Sequence, residues 1–315
     1  MDLFESKNIK PMLIGADSEA FDSPDYIYEL KLDGDRCIAY LDSDKTDLRN
    51  KRNIKMLPKV PELTGIHTQV NRKCILDGEL AVIKDGKPNF YEIQRRVLME
   101  NPFKIKLASE QNPAFFTAFD IIYLDNRQTT NLPLSERKNL LSSVVKNESP
   151  EFAVSRVIEE TGIGFYNLTK KQDLEGIVAK RRNSLYYLDK RTKDWIKIKN
   201  LKDEDFVVLG YIRKKNDMIS LVLGQYKNDE LIYKGHVSLG EDGQTFGIIS
   251  KQSIVNSPPL NLPLGNENAV WITPTLVCTV KYMMKSQSGG MRQPVFKGLR
   301  TDKHPRSCIE PKEQR

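Results

Sequence analysis

The sequence predicts an α+β protein of two domains, the first mixed and the second a small antiparallel barrel or sandwich. Three observations carry that prediction. The chain has 315 residues, more than one small core holds and right for two. Up to Lys202, strand-like and helix-like segments are mixed without a βαβ rhythm, which argues against a doubly wound sheet. Past a charged bridge, Lys202-Asp203-Glu204-Asp205, short strands follow one another with Gly and Asn at the turns. The boundary is placed near Lys202, giving domains 1–201 and 202–315.

The elements follow in order. Residues 26–30 (Tyr-Ile-Tyr-Glu-Leu) and 37–41 (Cys-Ile-Ala-Tyr-Leu) are rich in aromatic and apolar residues and read as strands. Between them lies a turn, Lys31-Leu32-Asp33-Gly34-Asp35-Arg36. Residues 74–76 and 79–83 read as strands separated by an Asp77-Gly78 turn, and 115–124 and 176–180 as further strands. A helix is predicted over 135–146, where Ser135 can cap and Leu141, Val144 and Val145 form a stripe, and another over 164–173. In the second domain the strands are 206–212, 219–226, 231–238 and 276–282, with Pro258, Pro259 and Pro263 marking a long loop.

Composition narrows the function. Hydrophobic residues are 39 % and charged residues 29 %, as in soluble proteins, and no segment approaches the roughly 20 apolar residues of a membrane span. A cytoplasmic protein with no membrane partner is therefore expected. Cys37, Cys74, Cys278 and Cys308 are far apart, which argues against zinc ribbons and disulfide scaffolds and fits a reducing compartment. His67, His236 and His304 are scattered and read as surface residues rather than metal ligands. The net charge of +7 suits a polyanionic partner. From Lys281 to Arg306 there are seven Lys or Arg and one acid, Asp302, interleaved with Val295, Phe296 and Leu299. That stretch is expected to be structured and to contact phosphate.

The Lys31 turn has the residue types that covalent nucleotidyl transfer needs. A lysine amine can attack a nucleotide α-phosphate, a tight Asp-Gly turn lets the backbone approach, and Asp and Arg manage the charge. Lysine at its ordinary pKa of about 10.4 is protonated and no nucleophile, so neighbouring cations are needed. Leu76-Asp77-Gly78-Glu79 offers one carboxylate and Leu174-Glu175-Gly176-Ile177-Val178-Ala179-Lys180 a second. Ala118-Phe119-Asp120-Ile121 offers an aromatic on a strand. In Trp195-Ile196-Lys197-Ile198-Lys199 the alternation puts Lys197 and Lys199 on one face. Phe296-Lys297-Gly298-Leu299-Arg300-Thr301-Asp302-Lys303 is a compact cationic cluster. Taken singly each has an ordinary structural explanation; their joint occurrence in chain order, 31–36, 76–79, 118–121, 174–180, 195–199 and 296–303, does not.

In that order the segments resemble the six motifs of the covalent nucleotidyltransferases, and among these the ATP-dependent DNA ligases. The likeness is greatest to the ligase domain of bacterial end-joining ligases and their stand-alone relatives, through Pro294-Val295-Phe296-Lys297-Gly298-Leu299-Arg300 and Pro11-Met12-Leu13. The resemblance implies an adenylation (nucleotidyltransferase) domain followed by an OB-fold domain, ATP with Mg²⁺ or Mn²⁺, and nicked double-stranded DNA as substrate. It implies that Lys31 forms lysyl-AMP, Glu29 reads the adenine amino group and Phe119 stacks on adenine. Arg36 and Glu79 would contact the ribose or its neighbourhood, and Glu79 with Glu175 would place the metal. Lys197 and Lys199 would hold the α-phosphate and depress the pKa of Lys31. Arg300, Asp302 and Lys303 would orient the leaving pyrophosphate, and Arg49 would contact DNA phosphate. The Leu48-Arg49-Asn50-Lys51 segment departs from the pattern, lacking Ser before Arg and Gly after Asn. With about thirty residues before Lys31, no N-terminal helical DNA-binding domain is expected, so the two core domains, or a Ku-like partner, must hold the DNA. The protein is expected as a monomer. The rival readings are an RNA guanylyltransferase or RNA ligase, and an inactive nucleic-acid-binding module.

Overall fold

A computed structural model describes residues 2–215, 218–240, 242–258, 260, 262–285 and 290–311. It divides into two compact units, Met1–Asn200 and Leu201–Arg315.

The first unit is built on two sheets. One has strand order Leu13–Asp17, Arg191–Lys199, Gly176–Arg181, Tyr26–Leu30 and Val157–Glu159. Its first pair is parallel and the rest antiparallel. The other runs Thr46–Asn50, Asp35–Leu41, Cys74–Lys84, Ala114–Leu124 and Arg127–Gln128, with Phe152–Val154 added in parallel to Ala114–Leu124. Ile38, Tyr40, Ile75 and Ile122 of the second sheet pack with Val178 and Trp195 of the first, so one face of each sheet looks at the other. The opposite faces are covered by helices. Phe165 and Tyr166 of Gly162–Lys171 cover Tyr28, Ile177 and Ala179. Leu141 and Val144 of Leu134–Val144 join the core on the far side of the second sheet. The central strands enforce this layering, because Asp35–Leu41, Cys74–Lys84 and Ala114–Leu124 bury both faces.

The second unit curls one antiparallel sheet. Its order is Glu230–Gly240, Ile219–Lys227, Lys202–Arg213, Val277–Tyr282 and Val295–Arg300, with Val270–Trp271 also pairing to Lys202–Arg213. The first and last strands of that path approach each other, so the sheet closes around Phe206, Val208, Leu221, Leu223, Val237 and Val280. Val295–Arg300 makes the basic stretch structured, as expected. Residues 286–289 of that stretch and Pro259 of the proline loop lie outside the described residues.

Several sequence expectations are corrected. Residues 74–76 and 79–83 belong to one strand, Cys74–Lys84, with no turn at Asp77-Gly78. Gly78 stands in a strand interior because a Cβ there would lie 2.4 Å from the Phe116 ring and from the Thr117 carbonyl. The charged bridge is not a linker: Lys202 to Asp205 pair with Tyr282 to Thr279. Ser135 does not cap its helix, which begins at Leu134 after Pro133, and the Ser135 amide donates to the Arg182 carbonyl. Helices Phe90–Leu98 and Pro102–Gln111 were not predicted, although Asn89 and Asn101 cap them by accepting from Glu92 and Lys104 amides. Both caps were legible in the sequence.

Candidate active site

Lys31 lies where the chain leaves the first sheet for the second. Its amide donates to the Gly176 carbonyl at 3.0 Å, and its Nζ meets Glu175 Oε1 at 2.8 Å. Gly176 makes this approach possible. It has φ +132°, and a Cβ would fall 2.1 Å from the Ile198 carbonyl oxygen. Gly34 plays the same part on the other side. A Cβ there would lie 2.1 Å from the Leu80 carbonyl oxygen and 2.9 Å from Glu79 Cγ, so the turn lies directly on the Glu79 strand.

The expected carboxylates and cations converge here. Glu79 is half-buried, and burial pushes its carboxyl up to about 8; Glu175 and Asp35 add to the effect, while Lys31 and Arg36 oppose it. Lys199 is lowered by burial and by the neighbouring Lys197 and Lys31 ammoniums. Lys197 pairs with Asp17 at 3.1 Å. Lys31, Lys197 and Lys199 thus form one cationic group flanked by Glu79 and Glu175. Among the described residues no set of three or more His, Cys, Asp or Glu gathers as a ready metal cage. Two acidic oxygen donors beside a cationic group fit Mg²⁺, which takes one or two carboxylates and completes its shell with water and substrate phosphate.

Beside this group, charged side chains pack against the Phe119 and Trp195 rings. The register between Cys74–Lys84 and Ala114–Leu124 slips from Asp77↔Asp120 to Gly78↔Ala118. Phe119 is the extra residue of that bulge, which re-aims its side chain. The Arg36 guanidinium lies 4.7 Å and Lys180 Nζ 4.2 Å from its ring centre, and Lys180 Nζ lies 4.3 Å from that of the buried Trp195. Arg36 donates to both Asp77 oxygens at 2.7 and 2.5 Å, and Asp77 also accepts from Tyr186. Glu29 is buried between Lys138 at 2.6 Å and Lys180 at 3.1 Å, and despite the desolvation its carboxyl is held below the usual range by those two ammoniums.

Within the first unit, Arg49 stands apart from this cluster. Arg49 pairs with Asp47 at 3.1 Å and reaches Asn53, both outside it. Arg300, Asp302 and Lys303 belong to the second unit. Arg300 donates twice to Asp302, at 2.8 and 2.7 Å, which holds the Asp302 carboxyl down at about 2. Lys303 pairs with Asp205. Sequence reasoning missed Asp77, Lys138, Asp17 and Asp205. Each works by pairing with a residue distant in the chain, and nothing local to it marks that partner.

The comparisons with known proteins fit this geometry. Residues 11–199 match the ATP dependent DNA ligase domain family and residues 214–303 its C terminal region family. The SPbeta prophage-derived DNA ligase-like protein LigB of Bacillus subtilis is 28 % identical, over 93 % of this chain and 99 % of its own. DNA ligase C of Mycobacterium tuberculosis is 28 % identical over 95 % of this chain and 92 % of its own. The multifunctional non-homologous end joining protein LigD of Pseudomonas aeruginosa is 29 % identical, and the chain spans about a third (34 %) of its length. In fold the chain is similar to a mycobacterial DNA ligase D complexed with ATP and MES, with TM-score 0.56 and 24 % identity over 97 % of this chain and 99 % of that one. The two units are accordingly a nucleotidyltransferase domain and an OB-fold-like domain. With its lysine turn, paired carboxylates and cationic strand set in a region that the family matches from end to end, the chain belongs to the ATP-dependent DNA ligases.

Proposed function

We propose that this ATP-dependent DNA ligase seals 5′-phosphate, 3′-hydroxyl nicks in duplex DNA in three steps, with Lys31 as the nucleophile. In the first, Lys31 Nζ attacks the α-phosphorus of ATP, an N–P bond forms, the amine loses its protons and pyrophosphate leaves. In the second, an oxygen of the DNA 5′-phosphate attacks the same phosphorus and the N–P bond breaks. In the third, the 3′-hydroxyl attacks the 5′-phosphate and AMP leaves. Such transfers need alignment and charge neutralisation more than acid–base residues.

The observation that carries the reading is the convergence of Lys31, Glu79, Glu175, Lys197 and Lys199 on one turn. Lys197 and Lys199 would hold the α-phosphate. Glu79 and Glu175 would hold the divalent ion, which supplies charge neutralisation at phosphate oxygens. Holding the ion there would compete with the Glu175 contact to Lys31 Nζ. Glu29 would accept from the adenine amino group, Phe119 would stack on the base, and Arg36, fixed by Asp77, would face the ribose. Arg300, Asp302 and Lys303 would orient pyrophosphate, and Arg49 would touch DNA phosphate. The end-joining names among the relatives support a Ku-like partner, with the ligase itself a monomer.

The test is covalent labelling. Incubated with ATP labelled at the α-phosphate and Mg²⁺, then denatured, the protein keeps the label and Lys31→Ala does not. Labelling by GTP as fast as by ATP, or full labelling of Lys31→Ala, would overturn the assignment.

A further inference from the structure

The charges buried around Glu29 do not balance. One carboxylate faces two ammoniums, Lys138 at 2.6 Å and Lys180 at 3.1 Å. Lys180 has other support, since its Nζ lies over the Phe119 and Trp195 rings. Glu29 is the one charged partner described for Lys138. Lys138 Nζ and both Glu29 oxygens are buried, and the Glu29 carboxylate also has the Ser155 side chain as a hydrogen-bonding neighbour. A buried ammonium has three donors to satisfy and no acceptor of its own. Lys138 Nζ therefore has donors left for a further acceptor, and the Glu29 carboxylate, with about four lone-pair sites for Lys138, Lys180 and Ser155, has room for a further donor.

A purine edge supplies both. Adenine carries an amino donor at C6 and ring-nitrogen acceptors on either side of it, N1 and N7. We propose that Lys138 is a base-specificity residue that donates to the ring nitrogen beside the amino group read by Glu29. The proposal rests on the adenine-pocket reading of Glu29 and Phe119 and extends it to a helix outside every motif of the family resemblance. Lys138 sits in the second turn of Leu134–Val144, next to Arg137, whose guanidinium is locked on Asp120. The helix that carries Lys138 is thereby tied to the strand that carries Phe119.

The test uses three nucleotides, ATP, 1-deaza-ATP and 7-deaza-ATP, and reads the single-turnover rate of covalent labelling against nucleotide concentration. A lost hydrogen bond to a buried charged donor weakens binding by about tenfold to a hundredfold. The wild-type protein should therefore discriminate against one deaza analogue by that factor, and which one identifies the nitrogen. Lys138→Met should bind ATP about as weakly as the wild type binds that analogue, with the discrimination gone and the maximal rate little changed. Because each ratio is taken within one protein, partial instability of the variant cancels. Two results would overturn the proposal: a wild type indifferent to both analogues, which needs no variant, or a Lys138→Met protein that keeps the wild-type ratios. In the second case Lys138 merely neutralises Glu29. A wild type that takes no label from ATP would overturn the ligase assignment itself.

Discussion

At the scale of single residues, the site trades stability for chemistry at Glu79. Burial and the neighbouring Glu175 raise its carboxyl from an ordinary 4.5 to about 8. The native state therefore keeps a proton that the unfolded chain has lost, and without metal stability falls as pH rises between those values. Glu79→Gln keeps the shape and cannot ionise. In metal-free buffer the wild type should lose roughly 1–3 kcal/mol relative to Glu79→Gln between pH 5 and 8. Thermal denaturation of both proteins across that range checks this, and parallel curves would refute it. Added Mg²⁺ should stabilise the wild type most at the alkaline end, where the ionised carboxylate is available to it. Asp77 makes a contrasting case. It is fully buried and accepts from Arg36 and Tyr186. Asp77→Ala leaves a guanidinium unpaired between the sheets and should cost about 3–5 kcal/mol in denaturant unfolding. Asp77→Asn, which keeps one acceptor, should cost less.

The elements show what the sequence could and could not disclose. The strands around Lys31 were legible because aromatic and β-branched runs ended at an Asp-Gly turn, and Lys197 and Lys199 shared a face through strict alternation. Asp77-Gly78 misled for the same reason: the dipeptide reads as a turn when its neighbours are unknown. The Phe116 ring and the Thr117 carbonyl, packed against Gly78 from the adjacent strand, explain a glycine there. The bulge at Phe119 was equally hidden, since a register slip is a property of two strands. The motif residues were readable because their chemistry requires them at fixed local spacing. Lys138 and Asp77 were not, because their partners come from other elements. Gly78→Ala puts a methyl into the Phe116 ring and the Thr117 carbonyl at once, and should destabilise by about 2–4 kcal/mol. Gly86→Ala, on the exposed turn that follows the same strand, meets open space but has φ +75° and should cost only about 1 kcal/mol. Equal unfolding midpoints for the two variants would contradict the close-packing account of Gly78. The bulge should register the damage too, so Gly78→Ala should slow self-adenylation while Gly86→Ala leaves it unchanged.

For the whole molecule, the chemistry divides by step. In the proposed reaction pyrophosphate is present only while Lys31 is adenylated. Arg300 and Lys303, if they orient it, matter in that step and not afterwards. On the proposed mechanism the divalent ion and the AMP moiety would be needed in all three steps, so Glu175 would matter throughout. Lys31→Ala and Lys303→Ala should therefore both fail to self-adenylate. Both should still join a nick that already carries AMP on its 5′-phosphate, with Lys31→Ala slowed by the loss of a cation from its group. Glu175→Ala should be poor at both reactions. DNA binding adds its own signature. With a net charge of +7 and a basic final stretch, several phosphate contacts are expected, so nick affinity should fall steeply and log-linearly between low and physiological salt. The measurement is single-turnover sealing of pre-adenylated nicked duplex without ATP, run at fixed low salt so that binding is saturated for every variant. Under those conditions a Lys303→Ala defect as deep as that of Glu175→Ala would mean that the second unit's cations act on the DNA reaction itself. A Lys303→Ala protein that seals at the wild-type rate but takes no label from ATP would assign Lys303 to pyrophosphate.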